Sequence, residues 1–186
     1  MKDHTETEAS EQSPEIALIR DELTAALGRL TREDVERAVR QILSHERIFV
    51  GGAGRTGLML KAFAMRLMQA GRTVFAAGET VTPAVGQGDL LFLASASGKT
   101  RTVLNYAQTA LEAGAELFTV TASEDSPLAA LHPTDVVLPC GGEGTEGSGQ
   151  IMGSLFEQTL LIYCDAVVLS LPADREEMRR HHANLE

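Results

Sequence analysis

The chain has 186 residues, a length that fits one domain of ordinary size. Hydrophobic residues make up 44% of it, enough for a sizeable core, while aromatic residues make up only 4%. The formal net charge of −10 argues against nucleic acid or an anionic membrane as a partner, because both repel an acidic surface. The two cysteines, Cys140 and Cys164, have the spacing neither of metal ligands nor of a secreted disulfide framework, which favours reduced thiols in the cytoplasm.

The N-terminal part of the sequence predicts a tail followed by two helices. Residues 1–13 are acidic and polar, without the apolar segment of a signal peptide, and are expected to be disordered. Pro14 is placed as a first helical residue, and Gly28 ends the helix. Thr31 and Asp34 have the spacing of a second helix start.

From residue 47 onwards, short apolar runs alternate with helical segments. The predicted strands are 47–51, 73–77, 89–94, 116–121 and 135–139. The predicted helices are 56–70, 100–113, 126–131, a long one within 151–171 and a polar helix-like tail at 174–186. This alternation is typical of an α/β fold with a doubly wound, five-stranded parallel sheet. Residues 14–186 are predicted to form one domain. Met65 and Met68 are expected in its core.

The loop Ser95-Ala96-Ser97-Gly98-Lys99-Thr100 joins a buried strand to the start of a helix. Free backbone N–H groups and the helix dipole converge there, and the small hydroxyl side chains add hydrogen bonds, so the loop predicts a phosphate site. The nucleotide P-loop pattern is not met, because Leu93 stands where its first glycine is required. The structural alternative is a plain turn in which Ser and Thr cap the helix.

A second loop, residues 51–57, follows the first strand and reads Gly-Gly-Ala-Gly-Arg-Thr-Gly. Its glycines allow close backbone approach, and its arginine offers a guanidinium fork to an anion. The candidate binding residues in this loop are Gly52, Gly54, Arg55 and Thr56.

The same loop also satisfies the dinucleotide pattern G-x-G-x-x-G, through Gly52, Gly54 and Gly57. In that interpretation Glu79, after the next strand, would bind a ribose. A dinucleotide site would leave the second, hydroxyl-rich loop unexplained.

Glu157 is the candidate general acid–base. It lies early in the long apolar helix, where partial desolvation would raise the pKa of its carboxyl toward the range useful for proton transfer. An outward orientation or pairing with an arginine is the alternative.

Several motifs of the chain resemble the sugar isomerase (SIS) domain family, which has a flavodoxin-like fold, and within it the 6-phospho-3-hexuloisomerases. The resemblance covers residues 48–186. The motifs that carry it are Gly52-Ala-Gly-Arg-Thr-Gly57, Lys61-Ala-Phe-Ala-Met-Arg-Leu-Met68, Gly78-Glu-Thr-Val-Thr-Pro83, the 95–100 loop, Met152-Gly-Ser-Leu-Phe-Glu-Gln158 and Arg180-His-His-Ala-Asn-Leu-Glu186.

This resemblance implies interconversion of D-arabino-3-hexulose 6-phosphate and D-fructose 6-phosphate through a cis-enediol, without metal or redox cofactor. The 95–100 loop would hold the phosphate, and Glu157 would move the proton between C2 and C3. The pathway neighbour would be hexulose-phosphate synthase, in formaldehyde fixation by the ribulose monophosphate route. The sequence departs from the usual Ser-Gly-Ser-Gly-Glu-Thr loop at Ala96 and Lys99.

The resemblance also implies a homotetramer whose C-terminal tail reaches a neighbouring site. His182 would then contact substrate or carry a proton, although the adjacent His181 leaves open which histidine acts. Two alternatives to this function remain: another aldose–ketose isomerase of the same fold, or a sugar-phosphate sensor without catalysis.

Overall fold

The computed structural model of the chain describes residues 12–141 and 147–184. Most of the predicted disordered tail, residues 1–11, lies outside them. The helices are α1 (Pro14–Leu27), α2 (Arg32–Ser44), α3 (Gly54–Gln69), α4 (Arg101–Glu112), α5 (Pro127–Leu131), α6 (Ser154–Leu169) and α7 (Arg175–Arg180). The strands are β1 (Arg47–Gly51), β2 (Thr73–Ala76), β3 (Asp89–Ser95), β4 (Glu116–Thr121) and β5 (Val136–Val137).

The five strands form one parallel sheet in the order β2-β1-β3-β4-β5. The predicted doubly wound α/β sheet with an N-terminal helical pair is therefore confirmed. The central strand β3 is buried along its whole length, as its unbroken apolar run predicts. Its first residue, Asp89, pairs with Arg47 at the start of β1, with 2.6 Å between Oδ2 and Nη2.

Helices cover both faces of the sheet. Helices α3 and α6 pack on one face, with α1 and α2 outside them, around a core that includes Phe63, Phe92 and Phe156. Helices α4 and α5 pack on the other face, over Phe49 and Leu93. Because α3 and α4 lie on opposite faces, the chain changes its winding direction between β1 and β3.

Several boundaries differ from those predicted. Strand β5 is only two residues long, because Pro139 has no N–H to donate and the Asp135 carboxylate accepts the N–H of Thr119 at 2.8 Å. Helix α3 begins at Gly54 rather than at Thr56. Among the described residues, no helix is both long and apolar enough to span a bilayer.

The prediction that Met65 and Met68 lie in the core is wrong. They are 44% and 41% exposed, on the outer face of α3, while Leu60, Phe63 and Leu67 of the same helix are buried. The helical period therefore places the two methionines opposite the buried stripe.

Candidate functional site

The 51–57 and 95–100 loops lie side by side at the switch point of the sheet. Strands β1 and β3 are hydrogen-bonded neighbours, with Gly51 in register with Leu93, so both loops leave the same carboxyl edge. In doubly wound sheets the crevice beyond these ends is where ligands bind. The sequence alone predicts this location.

A cavity of about 120 Å³ lies between the two loops. Ala53 and Thr56 line it from one loop, and the strand end and the other loop contribute the remaining residues, which are Ala94, Ser95, Ala96, Ser97 and Thr100. Four of the lining side chains carry hydroxyl groups. The cavity therefore joins five of the predicted phosphate-binding residues in one small polar space.

The backbone of the 95–100 loop is fixed from the side of β4 and α5. The carbonyl of Ala96 accepts the N–H of Ala122, and the carbonyl of Gly98 accepts the N–H of Leu128, both at 3.0 Å. Gly98 has a φ of +62°, and a Cβ there would lie 2.2 Å from Ser126 Oγ. Only glycine fits this position, for both reasons.

Two backbone N–H groups of this loop donate hydrogen bonds to serine hydroxyls of the same loop. The N–H of Gly98 donates to Ser95 Oγ, and the N–H of Lys99 donates to Ser97 Oγ, both at 3.2 Å. These distances are at the long end for N–H···O bonds. An anion in the cavity would offer the same donors stronger, charged acceptors.

Thr100 is the N-cap residue of α4, but its side chain makes no cap hydrogen bond. Its Oγ1 lies 3.1 Å from Ser95 Oγ instead. The hydroxyl pair spans the loop and borders the cavity. The plain capping turn, which is the structural alternative for this loop, therefore does not account for Thr100.

Close packing and a positive φ explain the glycines of the 51–57 loop. A Cβ on Gly57 would lie 2.7 Å from the carbonyl oxygen of Gly52, so the loop and the first turn of α3 touch backbone to backbone. Gly54 has a φ of +56°. Glu79, the ribose ligand of the dinucleotide interpretation, forms an ion pair with Lys61. Local packing at Gly52 and Gly57 and the positive φ of Gly54 thus account for the glycine pattern.

Arg55, Ser154 and Glu157 form a polar cluster beside the cavity. Arg55 Nη1 donates to Ser154 Oγ at 2.9 Å and lies 2.8 Å from Glu157 Oε2. The second distance is that of an ion pair, while its direction does not meet hydrogen-bond geometry. The Glu157 side chain is 14% exposed and that of Arg55 is 54% exposed.

Glu157 is therefore paired with an arginine, which is the alternative given for this residue in the sequence analysis. The first turn of α3 connects this cluster to the loop, because Thr56 lines the cavity and the adjacent Arg55 contacts Glu157. A carboxylate paired with an arginine whose chain neighbour lines a polar cavity is suited to move a proton on an anion bound there.

Ser154 and Gln158 belong to the 152–158 motif but are not among the site residues predicted from the sequence. Both line a second cavity of about 360 Å³ between α1 and the start of α6. The Oε1 atom of Gln158 is buried without a hydrogen-bond partner. Ser154 lies three residues before Glu157 and Gln158 one residue after it, and this proximity in the sequence is the signal by which they could be found.

The two histidines of the tail lie far from this cluster within the chain. His181 Nδ1 is 3.0 Å from the carbonyl oxygen of Gln69, the last residue of α3. Arg55 is at the other end of this 16-residue helix, which is about 24 Å long. His182 is exposed, and its predicted action requires a site other than its own chain's.

The fold and the hydroxyl-lined cavity at its switch point are those of a sugar isomerase domain. A sequence model described as SIS domain matches residues 41–162, and the chain belongs to that family. The 3-hexulose-6-phosphate isomerase of Mycobacterium gastri is 44% identical over 92% of this chain and 89% of its own. The protein of the same name from Bacillus subtilis is 38% identical over 92% of this chain and 97% of its own.

A solved structure shares this architecture throughout the chain. The crystal structure of a Methanococcus jannaschii protein, from which a molecular function of 3-hexulose-6-phosphate isomerase was inferred, superimposes with a TM-score of 0.77. It is 28% identical, and the match covers 92% of this chain and 99% of that one. The SIS fold predicted from the sequence motifs is confirmed.

Proposed function

We propose that this chain is a 3-hexulose-6-phosphate isomerase, the activity also called 6-phospho-3-hexuloisomerase. The observation that carries the proposal is a hydroxyl-lined cavity of about 120 Å³ whose lining residue Thr56 adjoins Arg55, the partner of the Glu157 carboxylate. The named relatives, which align over about nine tenths of the chain, support the choice of reaction.

The cavity holds the 6-phosphate of the substrate. The hydroxyls of Ser95, Ser97, Thr100 and Thr56 donate to its oxygens, and the N–H groups of Gly98 and Lys99 exchange their internal bonds for it. Gly52 and Gly54 shape the facing loop rather than contact the anion directly.

Glu157 transfers the carbon-bound proton. Its carboxylate removes the proton from C2 of the 3-hexulose, and O3 accepts a proton from water as the C2–C3 enediol forms. O2 then returns a proton to water as Glu157 protonates C3. The product is the 2-ketose, and the carboxylate is regenerated. Arg55 orients the carboxylate and leaves the rest of its half-exposed guanidinium for the enediol oxygens.

The chain works as a homotetramer in which the tail of one subunit completes the site of another. Leu58, Met65 and Met68 form an exposed apolar stripe on α3, 57%, 44% and 41% exposed, which is typical of a surface covered by another subunit. The position of His181 and His182 at the far end of α3 supports the same arrangement. The proposed location is the cytoplasm, and the proposed pathway neighbour is hexulose-phosphate synthase.

Fructose 6-phosphate in D₂O tests the reaction and its alternatives together. The proposed enzyme introduces deuterium at C3, whereas an aldose–ketose isomerase acting on the same ketose exchanges at C1. Proton NMR distinguishes the two positions. Binding of fructose 6-phosphate without exchange at either carbon would support a sensor and contradict the proposal.

Glu157→Gln is the matched variant for this assay. It keeps the size of the side chain and one acceptor oxygen but cannot take a proton. We expect exchange at C3 to fall by about 10²–10⁴-fold. Binding of fructose 6-phosphate, measured by calorimetry, is retained because the phosphate cavity is untouched.

A further inference from the structure

A single carboxylate on α1 holds the segment that leads into α6. Glu22 accepts hydrogen bonds from Ser148 Oγ at 2.8 Å, from the N–H of Gly149 at 2.6 Å and from Gln150 Nε2 at 2.9 Å. These partners are 126 to 128 residues away in the sequence. Three donors on one carboxylate make a tether with a defined geometry.

Apolar packing reinforces the tether from the same face of α1. Leu18 lies one helical turn before Glu22, and a Cβ on Gly149 would be 3.0 Å from its Cδ2 atom and 3.2 Å from its Cδ1 atom. Gly149 therefore contacts α1 in two ways. Its N–H donates to Glu22, and the methyl groups of Leu18 lie where a larger residue would need space for its side chain.

The tethered segment sets the start of α6. After Gln150 come Ile151 and Met152, which is the only described non-glycine residue with a positive φ, at +53°. The carbonyl of Ile151 accepts the N–H of Ser154 at 3.3 Å, and the carbonyl of Gly153 accepts the N–H of Glu157 at 3.1 Å. This left-handed conformation is uncommon for a residue with a Cβ and marks the turn into α6.

The hydrogen bonds also keep the Glu22 carboxylate ionised. Desolvation is the largest single influence and raises the pKa, but the bonds from Gly149, Gln150 and Ser148 together bring it below the ordinary value of 4.5. At neutral pH the side chain is thus an acceptor only, which suits three donors.

We propose that Glu22 is a positioning residue for the isomerase site, holding residues 148–150 so that α6 presents Ser154 and Glu157 to Arg55. The inference rests on the proposed function. It adds to the site a helix that lies outside residues 41–162, the part matched by the SIS family.

Kinetics of Glu22→Ala and Glu22→Gln test this role. Loss of all three acceptor contacts in Glu22→Ala should lower kcat by about 10–100-fold, the effect of a displacement near 1 Å. KM for fructose 6-phosphate should change less than about 3-fold, because the phosphate cavity is formed by other elements. Glu22→Gln, which keeps one carbonyl oxygen, should recover part of kcat. Asp21→Ala, an exposed neighbour paired with Arg20, is the control and should match the wild type.

Hydrogen–deuterium exchange tests the tether independently of activity. The amides of residues 148–158 should exchange faster in both Glu22 variants than in Asp21→Ala. An unchanged kcat in Glu22→Ala, with an active wild type, would overturn the positioning role, and so would unchanged amide exchange. An inactive wild type would instead overturn the proposed function. If Glu22→Ala does not fold, Glu22→Gln alone decides both measurements.

Discussion

Arg55 Nη1 lies 2.8 Å from Glu157 Oε2, so the first turn of α3 meets the first turn of α6 at the predicted acid–base residue. From residue types alone, Arg55 is expected at the phosphate. The structure places its guanidinium against Glu157 and Ser154, while its neighbour Thr56 lines the proposed phosphate cavity. The first turn of α3 thus connects the two proposed functions of the site, phosphate binding and proton transfer.

Arg55→Lys distinguishes these two roles. A lysine keeps the positive charge but cannot bridge Ser154 and Glu157 as a planar fork. If Arg55 orients Glu157, kcat falls by about 10–100-fold while KM and the inhibition constant of inorganic phosphate change little. A rise in KM and in the phosphate inhibition constant, with kcat preserved, would show instead that Arg55 binds the phosphate. Steady-state kinetics with phosphate as competitor measures both.

Gly98→Ala should disrupt the phosphate loop. The alanine would have to adopt a φ of +62°, at a cost of about 1–2 kcal/mol, and its Cβ would overlap Ser126 Oγ at 2.2 Å. We expect a free energy of unfolding lower by at least ~2 kcal/mol and a KM raised at least ~10-fold.

Gly86→Ala is the matched control for this change. Gly86 has no positive φ, and a Cβ there meets no atom within 4 Å. Urea unfolding and kinetics should show the wild-type values for this variant. Equal stability of Gly98→Ala and Gly86→Ala would contradict the loop geometry described above.

Local signals predict most of this fold. The capping pair Thr31 and Asp34, the apolar run of β3 and the glycines that follow α1, α3 and α4 are short-range features, and the corresponding elements are present. The two loops also lie at the same edge of the sheet, because parallel strands all end at that edge. The sequence therefore locates the candidate site before any distance is known.

Contacts between distant segments are what the sequence does not predict. Arg55 and Ser154 are 99 residues apart, and nothing in either motif shows that the guanidinium turns toward α6. The prediction that Met65 is buried is wrong for a related reason, since apolar residues at helical spacing do not show which face of the helix packs on the sheet. Long-range pairing and assembly depend on tertiary geometry.

Because both thiols are buried, we expect the free energy of unfolding to decrease at alkaline pH. Burial, and then the charge of Asp165, raises the pKa of Cys164 well above 9.0, and burial raises the pKa of Cys140. The unfolded chain releases these protons above about pH 8.5, whereas the folded chain keeps them. The unfolded state then binds fewer protons, so the free energy of unfolding decreases with rising pH, by up to about 1.4 kcal/mol per pH unit for each thiol.

Urea unfolding in reducing buffer between pH 7 and 10 measures this slope. Cys164→Ala removes one thiol and should flatten the curve relative to the wild type, whatever its effect at pH 7. A wild-type stability that is constant over this range, or a Cys164→Ala curve parallel to that of the wild type, would contradict the burial of an undissociated thiol.

Mixed oligomers test whether His182 acts on a neighbouring subunit. The histidine lies beside His181, which is fixed at the end of α3 opposite Arg55, so its own site is out of reach. Glu157→Gln and His182→Gln should each be inactive alone. When the two are unfolded and refolded together, hybrid assemblies contain some sites with both an intact Glu157 and an intact His182. For random pairing about a quarter of the wild-type activity returns.

The same mixture prepared without subunit exchange should stay inactive. A mixture that stays inactive after refolding would show that His182 acts in its own subunit's site, and a His182→Gln variant that is active alone would place His182 outside the reaction. Replacing His182→Gln by His181→Gln in the mixture decides which of the two histidines the neighbouring site uses.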